Sequence, residues 1–95
     1  MLGEKLKELR EAKGLVQRQV AAELEVDTAY ISKMENNDKP VSRIHLKKLA
    51  LIYKIKEEQL LPYWIAEKIL QVIKNEDFKN DALELVATEL RKKGV

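Results

Sequence analysis

Cysteine is absent from the 95 residues, which excludes disulfides, thiolate metal sites and thiol catalysis at once. The chain must therefore hold itself together by apolar burial. Proline is scarce, at two residues, and glycine at three, so little interrupts helix formation by the abundant Leu, Lys, Glu and Ala. No apolar run approaches the roughly 18 residues that span a bilayer. The charged, amphipathic start Met1-Leu-Gly-Glu-Lys-Leu-Lys does not read as a signal peptide, and a cytoplasmic location is expected. Neither sign of charge dominates: 18 Lys+Arg face 16 Asp+Glu, and a net +2 is too small to establish a polyanion partner. The small positive excess lies entirely within residues 1–61. His45 has no second His and no Cys beside it, so no metal site is expected. No carboxylate pair is tied to a nucleophile or a pocket-forming loop, which argues against an enzyme; no cofactor is expected either.

What is present is helical periodicity. A period of two never persists between turn residues, so no strand is expected. Seven helices are predicted. Leu2, Leu6 and Leu9 carry the first, from Leu2 to Lys13, stopped by Gly14. The second runs from Gln17 to Leu24, with Val20, Ala21 and Leu24 on one face. Asp27 serves as N-cap for a third, Thr28 to Glu35, which buries Ile31 and Met34. After the loop Asn36-Asn37-Asp38-Lys39-Pro40, Ser42 caps a fourth that carries Ile44, Leu46, Leu49, Ala50 and Ile52 or Tyr53. A short fifth spans about Glu57 to Leu61. Pro62 suits the first turn of a sixth, reaching Lys74, and Asp77 or Asn80 starts the seventh.

The stretch from Gln17 to Asn36 joins two short helices by a tight turn. Ala21 is small where the helices cross, while Val20, Leu24, Val26, Ile31 and Met34 point inward. The exposed face of the later helix is left free to enter a groove. Together with Leu6-Lys-Glu-Leu-Arg10, Gly14-Leu15, Tyr30-Ile-Ser-Lys-Met-Glu-Asn36 and Leu46-Lys-Lys-Leu-Ala50, this stretch resembles the lambda-repressor-like, Xre-type helix-turn-helix family of bacterial and phage regulators. The resemblance covers residues 3–61. It departs at Glu25 and Asn37, where the family usually has glycine; both positions then need a left-handed backbone, harder for Glu than for Asn.

The resemblance implies an all-α fold: a five-helix lambda-repressor-like DNA-binding domain over residues 1–61, then two C-terminal dimerisation helices within 62–95. It implies that Gln17 bonds a DNA phosphate and braces the recognition helix. Thr28, Ala29, Tyr30 and Lys33 lie where that helix meets base edges. Asn36, Asn37, Lys39 and Arg43 surround a phosphate-holding loop, with Arg18 and Ser32 as further contacts. Tyr30 has an alternative role, packing its ring inside the domain. Lys47 and Lys48 read as a solvated helix face.

One short helix reads few base pairs, so the expected partner of double-stranded DNA is a homodimer on a palindromic operator. Trp64, Ile65, Ile69, Val72, Ile73, Leu83, Val86 and Leu90 exceed what two helices can bury against a finished core, and are assigned to the dimer interface. The acidic Glu23, Glu25 and Asp27 near the turn read as a solvated face with one cap; the resemblance to activators of the family implies, as the alternative, a contact with RNA polymerase. Among family members, restriction–modification controllers are similar in size. A phage-type repressor, an antitoxin and a protein-interaction adaptor are the alternatives.

Overall fold

A computed structural model describes residues 1–92; the last three residues of the 62–95 extension lie outside the described part. The described chain folds into six α-helices and one 3-10 turn, with no strand: α1 (Leu2–Ala12), α2 (Gln17–Leu24), α3 (Thr28–Glu35), α4 (Arg43–Ile52), α5 (Leu61–Ile73) and α6 (Lys79–Lys92). Among the described residues the fold is all-helical, as expected. Leu6, Val20, Leu24, Ile31, Leu46, Leu49, Tyr53 and Leu60 fill the core from α1 through the 3-10 turn. Removing one such leucine side chain costs about 2–5 kcal/mol.

The expected fifth helix is instead a single 3-10 turn, Glu57–Gln59. Pro62 cannot donate a backbone hydrogen bond, so it must sit in the first turn of a new helix. The break therefore falls at Leu60, which is buried as the N-cap of α5.

One device ends each of the first four helices. Gly14, Glu25, Asn37 and Lys54 all have positive φ, between 57° and 67°. At each, the following amide reaches back five residues: Leu15 to Arg10, Val26 to Ala21, Asp38 to Lys33 and Ile55 to Ala50, at 2.8–3.1 Å. This pairing satisfies carbonyls that the helix leaves open. Leu15, Val26 and Ile55 follow their turns and pack half-buried against the core, so burial of the next side chain helps hold three of the four turns. The left-handed residue at Lys54 has no counterpart in the sequence pattern.

Capping was partly legible. Ser42 Oγ accepts the amide of His45 at 3.1 Å, as expected of an N-cap. Asp27 occupies the N-cap position of α3, but its carboxylate makes no capping bond. Ile44 is 69% exposed rather than part of the apolar face of α4, because it lies on the side turned from the core.

Neither α5 nor α6 contains a fully buried residue. α5 is fastened to the body at two points. Glu67 accepts the amide of Leu2 at 3.2 Å, at the positive N-terminal end of α1. The indole N–H of Trp64 donates to the Val41 carbonyl at 2.6 Å. Among the described residues no helix is long and apolar enough to cross a membrane.

Candidate nucleic-acid interface

The outward surface of α3 exists because its inward surface is fully used. Ile31 and Met34 are buried in the core and Glu35 in a polar site, which leaves Thr28, Ala29 and Lys33 exposed on the opposite side. An exposed Thr hydroxyl and two methyl groups, with a lysine one turn later, can meet base edges and thymine methyls. Ser32 is half-buried beside them. Tyr30 is also half-buried, and its ring meets His45 of α4 edge-on, 5.7 Å between centroids and 78° between planes. Packing inside the domain is thus one of its roles.

α3 is held by a polar hub that spacing alone did not reveal. Arg10 of α1 donates to both oxygens of Glu35, Nε at 2.7 Å and Nη2 at 3.1 Å, and its Nη1 donates to the Leu15 carbonyl at 2.9 Å. Gln17 Nε2 donates to Glu35 at 3.0 Å. The pairing with Glu35 raises the already high pKa of Arg10, so the guanidinium stays charged. Tyr53 lies close by; burial, and then the Glu35 charge, push its phenol up. Gln17 therefore ties α2 to the end of α3. It retains a second amide hydrogen and its oxygen for a further partner.

The loop after α3 is tied back to α1. Asn37 accepts the Gly3 amide at 2.8 Å through Oδ1 and donates to Glu4 through Nδ2. That donation is the largest of the effects that hold the Glu4 carboxyl at about 2, followed by the bond from the chain-terminal amine. The exposed Asn37 side chain thus spends both ends of its amide on α1. Asn36 and Lys39 remain exposed, and Arg18 is exposed at the start of α2. Arg43 is exposed at the start of α4, paired with Glu57 at 3.0 Å and placed over the Trp64 ring at 5.3 Å.

The helix-turn-helix family model matches residues 6–60. The chain belongs to the helix-turn-helix family, in its Xre, lambda-repressor-like branch. Membership makes it a DNA-binding transcriptional regulator, of a family whose members are generally not enzymes. The chain is also similar to a solved structure described as the SinR protein/SinI protein complex. The likeness has a TM-score of 0.57 at 22% identity and covers 98% of this chain and 99% of that one. At that identity it speaks for the fold alone. No curated protein matches the chain. The family match accounts for the body up to Leu60 and leaves α5 and α6 beyond it.

On those two helices, Ile65, Ile69, Val72, Leu83, Val86 and Leu90 are all exposed, and Ile73 is half-buried. Phe78, between them, is 76% exposed and was not singled out by helical spacing, because it lies in the connection. Trp64 departs from the expected stripe. It is half-buried, packs on the core and bonds Val41, so it serves its own subunit first.

Proposed function

We propose that the chain is a sequence-specific operator-binding regulator that grips a palindromic site as a homodimer. The observation that carries the reading is the double commitment of α3: core and hub hold one side rigidly, and Thr28, Ala29 and Lys33 stand free on the other. The N-terminal portion, residues 1–61, reads DNA. The portion 62–95 pairs subunits through Ile65, Ile69, Val72, Leu83, Val86 and Leu90, whose exposure in the single chain supports an isologous interface. Half-sites are then about 34 Å apart, one turn of duplex. A small regulator of this plan fits a restriction–modification controller working in the cytoplasm. Exposed Glu23, Glu25 and Asp27 at the α2–α3 turn offer a face for RNA polymerase.

Selection of bound sequences from a random duplex pool tests this reading. It predicts inverted repeats with half-sites one helical turn apart; single, unpaired sites refute the homodimer, and no enrichment refutes the operator reader. A second reading gives the α5–α6 face to a different protein chain. It is favoured by the likeness to a structure that holds two proteins in complex. Sedimentation of the pure chain at micromolar concentration separates the two, since a monomer leaves that face for another partner.

A further inference from the structure

We infer that α5 extends the DNA interface, with Lys68 and Lys74 taking phosphates beyond those reached by the loop after the recognition helix. This rests on the operator-binding reading and adds residues outside the helix-turn-helix. Lys39, Lys68 and Lys74 line one groove, between the loop that follows α3 and the side of α5 that carries Trp64 and Glu67, with Pro40 and Gln71 also lining it. The groove is thus continuous with the surface of Asn36 and Lys39.

Its geometry is held, not incidental. The Trp64 bond to the Val41 carbonyl fixes α5 against the loop. The same indole lies under two cations from different elements, Lys68 Nζ at 4.3 Å and the Arg43 guanidinium carbon at 5.3 Å. Cation–π attraction therefore gathers positive charge at the loop–α5 seam. Glu57 accompanies Arg43, whereas Lys39, Lys68 and Lys74 have no carboxylate within ion-pair distance among the described residues. Two acids also line the groove. Glu67 faces the N-terminal end of α1, where the Leu2 amide and the chain-terminal amine offset its charge; Asp38 lines the groove without forming an ion pair with any of the three lysines. A cationic strip remains, and mutual repulsion within it is relieved by an anion lying along it. The phosphate backbone is the anion that the adjoining interface brings.

The test is the salt dependence of binding to a random-sequence duplex, for the wild type, K68A/K74A and K68R/K74R. Each lost phosphate contact makes the log–log slope shallower by about 0.9. Loss of two contacts thus shrinks the affinity ratio between 50 and 200 mM salt by about 12-fold. The alanine pair is expected to show that change, and the arginine pair to keep the wild-type slope. An unchanged slope in the alanine pair overturns the inference, including where affinity falls, since the loss then comes from packing; the operator reading survives that result. A wild type whose binding ignores salt overturns the operator reading itself. Both lysines are exposed, and an unaltered melting midpoint confirms that the variants fold.

Discussion

Arg10 and Glu35, 25 residues apart in sequence, form a buried bidentate ion pair at 2.7 and 3.1 Å that joins the first helix to the end of the recognition helix. Gln17 completes the site from α2, so three helices converge on one carboxylate. Removing one member leaves the other charged and desolvated. Arg10→Ala and Glu35→Ala are each expected to lower stability by about 3–5 kcal/mol. A double-mutant cycle by chemical denaturation checks this: the double variant should lose far less than the sum of the singles. Additive losses would mean that the two side chains do not act as a pair.

The turns offer a contrast between equal backbones. Glu25 and Lys54 hold left-handed conformations with no side-chain bond that explains them, at a cost of about 1–2 kcal/mol each. Glycine removes that cost but loosens the unfolded chain, so Glu25→Gly and Lys54→Gly should each stabilise by about 0.5–1 kcal/mol. Asn37→Gly should destabilise, although its φ of 62° is equally left-handed, because it breaks the bonds to Gly3 and Glu4. Thermal midpoints of the three variants check the ordering.

These two features mark what could be read from the chain. Gly14, Asn37 and Glu25 announce left-handed turns, since motif register says where a helix must stop; Lys54 does not, because no motif position flagged it. The exposed side of α3 follows from the inward spacing of Ile31 and Met34, which is local. The Arg10–Glu35 pair is invisible to spacing in a chain that is 36% charged, where any two opposite charges look like solvated surface. Periodicity places Trp64 among the surplus apolar side chains, because it cannot register that the indole N–H has a carbonyl to meet at Val41.

Gly3 packs so closely against the end of α3 that a Cβ there would collide with the Glu35 carbonyl oxygen and crowd Asn37 Oδ1 at 2.7 Å. The first obstacle is backbone and cannot swing aside. Gly3→Ala should therefore cost about 1–3 kcal/mol, despite alanine's better helix propensity. Denaturant midpoints measure it, and a neutral or stabilising result would contradict the packing described.

Glu4 is one contributor to the acid limb of stability. Its carboxyl is lowered from the ordinary 4.5 to about 2, first by the Asn37 amide and then by the terminal amine. A depressed acid stabilises the fold fully above its unfolded value and loses that contribution as pH falls through the folded value. The contribution is therefore complete above 4.5 and fades towards 2. Melting midpoints from pH 5 to 2 should fall less steeply in Glu4→Gln than in the wild type; parallel curves would show that Glu4 contributes nothing.

Whether α3 enters the major groove is most directly measured by following backbone amide resonances during titration with the selected duplex. The largest shifts are expected at Thr28, Ala29 and Lys33, with Lys33→Ala weakening binding and relaxing preference at one base position by about 1–3 kcal/mol. Shifts confined to α5 and α6, with α3 silent, would contradict the account.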